Sequence, residues 1–470
     1  MHPRGFRDEL VSAAQWVAEY LEQLPSGPVT RPLPAALRER LRAGGMSEQG
    51  GDLFGVLDFA EESLAPYPTG NGHPAFFAWI NSPPAPAGVI AELLATAINA
   101  TCGMGEHALM DLERGVISDL ARLAGLADST GGVLTSGGSM ANLLCLAAAR
   151  HWFLAERGAE DGPEYDAAQS RLVAYCGEQT HMSVAKACAV IGIPRSRLRV
   201  IATTAERCMD VPALAEAIRA DLEAGLLPFC VVSNLGSTPT GAVDIPEPIT
   251  AVCRANGMWH HADGAWGGLG ARVPRWADAF RGIAEIDSLT VDPHKTLSVP
   301  VGCGAALVTD PGRLRAAFGV RASYLEGNEN LPWMSEYTFE LTRPGTRALA
   351  LWATLHQLGR AGVTNLLEHY DRMAAYLRER VEQHPRLRLL PCGPLPVVCF
   401  QVRDIDSHAD LAAAVQARGR AYLATVDYDG ETVLRACICN HRTGTAHIDT
   451  LIDEIISLAE EFDQTATSRG

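Results

Sequence analysis

Thr290-Val291-Asp292-Pro293-His294-Lys295-Thr296 begins within and runs past the apolar run Ser288 to Val291, which reads as a short buried strand. Lys295 therefore stands just past a strand end. Leu289, Val291, Leu297 and Val299 surround it, an unsuitable setting for a solvated surface lysine. Burial of this kind favours the neutral amine and frees it for imine exchange. Upstream, His260-His261-Ala262-Asp263-Gly264-Ala265-Trp266-Gly267-Gly268 carries an aspartate at the close of another short strand. A strand-end lysine with a strand-end aspartate is the pair that pyridoxal 5'-phosphate (PLP) chemistry requires. The lysine forms a Schiff base with the aldehyde, and the aspartate keeps a proton on the pyridine nitrogen so that the ring accepts electrons. An aspartate here could also simply cap the next turn. The small residues Ala262, Gly264 and Ala265 favour close approach of a flat ring, with Ala265 under one face.

A third element precedes these. Thr135-Ser136-Gly137-Gly138-Ser139-Met140-Ala141-Asn142 lies between a strand pattern and a helix pattern. Glycines let the backbone approach a phosphate, free N–H groups at a helix start bind it, and Ser139 can add a hydroxyl. The plain alternative is a Gly-rich turn with a serine N-cap. Gly137-Gly138-Ser139-Met140-Ala141 is also one residue away from a nucleophile elbow, but a serine hydrolase leaves Asp263 and Lys295 without a task. His181 follows the strand Leu172–Cys176 and can cover the free ring face and deliver a proton. Ser237 and Thr238, after the strand Phe229–Ser233, can bond ring substituents or shape the turn before Pro239. No metal site is expected. His260 and His261 point to opposite strand faces, and although Cys437, Cys439 and His441 could share one face of a strand, the two cysteines read as core packing.

Around these motifs the pattern is α/β. Strand-like runs are Gly132–Leu134, Leu172–Cys176, Leu198–Ala202, Phe229–Ser233, Met258–Ala262, Ser288–Val291 and Ala305–Val308. Helix-like runs include Val89–Ala100, Leu109–Ala124, Ala141–Arg150, Val184–Ile191 and Ala213–Ala224. This alternation predicts a mostly parallel seven-stranded sheet with ligands at the strand ends. We expect an N-terminal helical arm over 1–80, with helices at Phe6–Leu24 and Leu53–Leu64. A large α/β domain follows over 81–345. A small C-terminal α/β domain over 346–470 holds a long helical region from Leu349, strands at Val397–Val402 and Thr432–Ile438, and a last helix at Ile448–Phe462.

The chain of 470 residues can bury a large core, and 47% hydrophobic with 20% charged residues is ordinary globular composition. The net charge of −16 argues against nucleic acid or anionic membrane as a partner. No apolar run is long enough for a membrane helix, and Asp8, Glu9 and Glu19 interrupt any signal-peptide core. Twelve scattered cysteines read as reduced, hence cytoplasmic.

Taken together, the motifs resemble those of the group II PLP-dependent decarboxylases, the family of aromatic-L-amino-acid and glutamate decarboxylases. The resemblance covers nearly the whole chain. It runs through Ala18-Glu19-Tyr20-Leu21, His73-Pro74-Ala75-Phe76-Phe77-Ala78-Trp79, the Ser136–Asn142 loop, Gln179-Thr180-His181, Leu235–Asp244, Asp263–Gly268 and Pro293-His294-Lys295. It implies fold type I, the aspartate-aminotransferase-like PLP transferase fold, and a homodimer with shared active sites whose helical arm packs on the partner. Lys295 then carries the internal aldimine, His294 contacts phosphate, Asp263 pairs with the ring nitrogen and His181 stacks over it. Gly138, Ser139, Ser237, Thr238 and Ala265 complete the cofactor set. Trp79, Ile80, Ser82 and Met104, together with Cys102, fall where the family lines its substrate pocket. The implied reaction is decarboxylation of an L-amino acid to an amine and CO2. Trp79, Phe76 and Met104 favour an apolar or aromatic substrate. Arg435 is a candidate to orient the carboxylate.

Three departures stand out. Thr296 follows the lysine where the family has an aromatic residue. The region Tyr324 to Arg343, matching a mobile loop with a proton-donating tyrosine, differs in length and sequence, so Tyr337 or Tyr324 is the candidate donor. Asn81-Ser82-Pro83-Pro84 differs from the usual aromatic-decarboxylase segment. Rival outcomes are an aldehyde synthase or an aminotransferase on the same scaffold, and a catalytically inactive binding protein.

Overall fold

The computed structural model describes residues 5–44, 46, 48–51, 54–103, 105–319 and 332–467. Seven strands form the main sheet: β1 (Gly131–Thr135), β2 (Leu172–Gly177), β3 (Leu198–Ile201), β4 (Leu227–Asn234), β5 (Trp259–Asp263), β6 (Ser288–Val291) and β7 (Gly304–Val308). Their order is β1-β7-β6-β5-β4-β2-β3, and β7 runs antiparallel to both of its neighbours. The expected mostly parallel seven-stranded sheet is therefore present. The central strands were legible because both of their faces are covered. β2 (LVAYCG) and β4 (LPFCVVSN) are nearly continuous apolar runs.

Alternation along these strands divides the core. Ala174, Cys176, Cys230 and Val232 join one buried cluster, with Ala141, Leu144, Cys145 and Ala148 of the helix Gly138–Ala155 and Val184, Ala187 and Cys188 of the helix Met182–Val190. Val173, Tyr175 and Val231 face the other side, against Leu214 and Ile218 of Val211–Glu223 and Ile249 and Cys253 of Pro246–Ala255. Period-two strands between two helical layers give the three-layer α/β arrangement.

The chain groups into two compact units. One comprises Ile80–Ala375 and Leu390–Cys399, and contains the main sheet. The other comprises Met1–Trp79, Tyr376–Leu389 and Phe400–Gly470. Its helices include Phe6–Gln23, Ala35–Ala43 and Thr445–Thr467, and Phe54–Phe59 continues into a wider π-type turn, Ala60–Leu64. The second sheet has the order β10-β11-β9-β8, with β8 at Leu387–Leu389, β9 at Val397–Val402, β10 at Ala424–Tyr428 and β11 at Glu431–Cys437.

Local chemistry explains shifted boundaries. The helix expected over Val89–Ala100 is observed at Pro86–Ile98. Pro86 occupies the first turn, where its missing N–H costs nothing, and Asn99 stops the helix at φ 53. The long helix Thr346–Gln383 is interrupted at Gly359, whose φ of 60 and ψ of 177 only glycine adopts readily.

Candidate active site

Five strand ends meet around one cavity of about 280 Å³, near the lower end of the roughly 300–1,000 Å³ range of small-molecule sites. Ser136 to Ser139 arrive after β1, Gln179 and His181 after β2, Gly236 to Thr238 after β4, Asp263, Ala265 and Trp266 from β5, and Asp292, His294 and Lys295 after β6. These are carboxyl ends of parallel strands, where open α/β sheets bind ligands. Among the sequence candidates, Ile80, Gly138, Ser139, His181, Ser237, Thr238, Asp263, Ala265, His294 and Lys295 share this cavity.

Asp263 ends β5 and is buried. Its Oδ1 accepts from the Ala265 amide at 3.1 Å, and its Oδ2 accepts from Asn142 Nδ2 at 2.8 Å. The same Asn142 nitrogen donates to Ser183 Oγ at 3.0 Å. His181 is the N-cap of Met182–Val190, and its Nδ1 accepts from the Ser183 amide at 3.2 Å and meets Ser183 Oγ at 2.8 Å. With Nδ1 occupied as an acceptor, the ring proton of neutral His181 sits on Nε2. Burial lowers the His181 pKa below the ordinary histidine value, and the charge of Lys295 lowers it too, while Asp263 pulls the other way.

Lys295 Nζ lies 2.9 Å from Asp292 Oδ2. Asp292 Oδ1 is buried with no hydrogen-bond partner among the described residues. A Cβ on Gly138 would stand 2.9 Å from Asp292 Oδ2 and 3.0 Å from Ala265 Cβ, and one on Gly304 would stand 2.6 Å from Asp292 Oδ1. Glycine at these positions leaves room at the start of the helix Gly138–Ala155. Gly137, at φ 152, takes a backbone shape that other residues rarely adopt. His294 Nδ1 donates to the Cys303 carbonyl at 2.7 Å, and Ser82 Oγ donates to the His294 carbonyl at 2.8 Å, which seats this turn. Gln179 Oε1 accepts from Ser237 Oγ at 2.7 Å and from Thr240 Oγ1 at 2.5 Å.

The remaining candidates lie elsewhere. Tyr337 ends the short 3₁₀ turn Met334–Tyr337, packs against the core cluster, and is not in the cavity wall. Trp79 belongs to the other unit and packs edge-on against Phe76 and Tyr422. In that unit Arg435 is buried and donates to the Ala78 carbonyl. Cys102 is buried, and Met104 and Tyr324 lie outside the described residues. Sequence reading had assigned no role to Asn142, Gln179 or Asp292, although all three lie within or beside the motifs. Their partners become visible only when the strand ends converge.

A phosphate cradle without side chains at Gly137 and Gly138, an amine, a buried carboxylate and a histidine around one cavity fit pyridoxal phosphate. The comparisons agree. Residues 39–403 match the pyridoxal-dependent decarboxylase conserved domain. The chain is 28% identical to an aromatic-L-amino-acid decarboxylase of Bacillus atrophaeus, over 96% of this chain and 94% of that one. It is 28% identical to a 4-hydroxyphenylacetaldehyde synthase of Rhodiola rosea, over 94% and 93%. A crystal structure of Oryza sativa TDC with PLP and tryptamine superposes with a TM-score of 0.91 at 25% identity, covering 98% of this chain and 99% of that chain.

The fold and site thus define a PLP-dependent enzyme of fold type I. The chain belongs to the pyridoxal-dependent decarboxylase family, and it is a carboxy-lyase acting on an L-amino acid with pyridoxal 5'-phosphate as cofactor.

Proposed function

We propose that this enzyme converts an apolar or aromatic L-amino acid to its amine and CO2, with Lys295, Asp263 and His181 as the residues that carry the reaction. The supporting observation is that Lys295 and Asp263 face one cavity from adjacent strand ends, with the glycine cradle beside them. When bound, pyridoxal phosphate supplies a conjugated electron sink for the pair released at Cα. The amides at Gly138 and Ser139 and the ring of His294 would hold the phosphate. Lys295 Nζ would hold the cofactor through its aldehyde. Asp263 would keep a proton on the pyridine nitrogen. His181 covers the ring and holds a proton on Nε2. Selectivity for the carboxylate bond comes from orientation, which is worth on the order of 7–11 kcal/mol in well-held cases.

The cavity wall among the described residues includes no lysine or arginine besides Lys295. That supports an uncharged substrate side chain over an acidic one, as do the substrates named for the relatives. A second outcome, an aldehyde in place of the amine, is favoured by the equal identity to the 4-hydroxyphenylacetaldehyde synthase.

The working unit is a homodimer. Ile90, Leu93, Leu94 and Ile98 lie exposed along the helix Pro86–Ile98, whose other face buries Gly88, Ala91 and Ala95. A helix apolar over most of its surface, its exposed side included, is one that an assembly covers. All twelve cysteines are free thiols, which fits a reducing cytoplasm. No helix among the described residues is long and apolar enough to cross a membrane.

The test is incubation of the PLP-loaded protein with a panel of L-amino acids, with Lys295→Ala as control and mass spectrometry of products. Amine with released CO2, absent in the control, supports the reading. An aldehyde moves it to the second outcome, and a keto acid overturns both. Light scattering on wild type and Leu93→Asp decides the dimer: a monomeric wild type removes that part of the reading.

A further inference from the structure

We infer that Asn142 is a positioning residue that holds Asp263 and His181 in register through one amide whose direction is fixed from behind. The inference rests on the reading of the cavity as the cofactor site.

Asn142 is buried in the helix Gly138–Ala155 and engages both ends of its amide. Its Oδ1 accepts from Thr290 Oγ1 at 2.7 Å and from His261 Nε2 at 3.0 Å. Its Nδ2 donates to Asp263 Oδ2 at 2.8 Å and to Ser183 Oγ at 3.0 Å. The donor and acceptor roles follow from the chain of partners behind it. The Trp259 indole can only donate, and it donates to Ser288 Oγ at 2.8 Å. Ser288 then points its own proton at His261 Nδ1, 2.8 Å away. His261 therefore carries its proton on Nε2, aimed at Asn142 Oδ1. Burial pushes the His261 pKa down to about 4, so the ring stays neutral and this tautomer persists at neutral pH. A flipped amide would set NH2 against the His261 N–H and a carbonyl against the Asp263 carboxylate, two repulsions in a buried site.

Two consequences reach the cavity. Asp263 meets an N–H at Oδ2 and another at Oδ1, which fix the direction in which its carboxyl group faces the cavity. Ser183, with its oxygen occupied by Asn142, turns its proton to His181 Nδ1 and leaves the histidine proton on Nε2. Asp263 ends β5 and His181 caps the helix that follows β2, so a single side chain sets both groups that would face the cofactor ring. Gly138 and Ser139 of the phosphate cradle begin the same helix, so the cradle is tied to these two groups as well.

The experiment measures PLP affinity of the cofactor-free protein by quenching of tryptophan fluorescence, in wild type, Asn142→Ala and Asn142→Asp. Thermal melts serve as the folding control. If Asn142 acts by donating, Asn142→Asp is the worse of the two although it keeps the volume, because it sets a second carboxylate against Asp263. The expected loss is at least tenfold in affinity for Asn142→Ala and more for Asn142→Asp. If Asn142 only fills space, the order reverses and the inference falls. Where Asn142→Asp does not fold, Thr290→Val decides. This variant removes one of the two donors to Oδ1, so a several-fold loss of affinity supports the role, and unchanged affinity overturns it. Wild type that takes up no PLP overturns the cofactor reading itself. Wild type that binds, with Asn142→Asp at least as good as Asn142→Ala, overturns this inference alone.

Discussion

Lys295 Nζ is paired with Asp292 Oδ2 at 2.9 Å, an ion pair closed over three residues of chain at the end of β6. Asp292 is buried, so the pair is weakly screened. An ammonium held this way must give up its proton before it can attack an aldehyde carbon. The groups facing it are His181 and Asp263 across the cavity and His294, whose Nε2 is 4.0 Å from Asp292 Oδ2. Asp292→Asn keeps the shape and removes the anion. We predict that the cofactor-free Asp292→Asn protein captures PLP several-fold faster at pH 7 in stopped-flow absorbance. Slower capture would show that Asp292 assists the condensation instead.

Gly138 makes a sharper prediction because its space is measured. An added Cβ meets Asp292 Oδ2 at 2.9 Å and Ala265 Cβ at 3.0 Å, both closer than ordinary van der Waals contact. The site must open by a few tenths of an ångström at the point where the phosphate would enter. Gly138→Ala is expected to lose at least tenfold in PLP affinity by equilibrium titration while its thermal midpoint shifts by only a few degrees. Unchanged affinity would place the phosphate away from this loop.

What the sequence reveals and what it hides follows from the range of each interaction. β2 and β4 were legible because covered strands are written as local apolar runs, and Lys295, Asp263 and His181 because each closes or shortly follows a short strand. β8, only Leu387-Arg388-Leu389, is too short to show a period. β10 carries Asp427 and its side chains are mostly half-buried, so no apolar run marks it in the sequence. Asn142 lay inside a quoted motif without a role, since its partners Asp263 and Thr290 stand 121 and 148 residues away. Glu113 and Arg343, separated by 230 residues, gave no local signal at all.

That last pair carries a stability prediction. Both side chains are almost fully buried, and Arg343 also donates to the carbonyls of Cys102 and Leu134, while Glu113 accepts from the Leu134 amide. Removing one partner leaves a buried charge uncompensated, which costs roughly 3–5 kcal/mol. Arg343→Ala should lower unfolding free energy by that amount in urea titrations. A loss under about 1 kcal/mol would mean that water reaches Glu113 and the pair is not sealed.

His260 ties stability to pH. It lies in β5 with Nδ1 2.7 Å from Thr250 Oγ1 and Nε2 2.8 Å from Ser233 Oγ, and burial, reinforced by neighbouring His261, pushes its pKa down to about 3. The unfolded chain takes up a proton near pH 6.5 that the folded chain refuses until about pH 3. Unfolding therefore gains a proton in that window, and stability falls as pH falls through it. His260 alone accounts for roughly 2 kcal/mol of loss between pH 7 and pH 5. His261, pushed down to about 4, acts in the same direction, while buried Asp244, raised to about 6, acts in the opposite one. The total pH slope mixes these groups, so the informative quantity is the difference between two proteins. His260→Gln should be less stable than wild type at pH 7 and should lose roughly 2 kcal/mol less on going to pH 5, read by urea unfolding at both values. If the two proteins show the same slope, His260 takes up its proton in the folded state, and the hydroxyls of Ser233 and Thr250 have turned to accept from it.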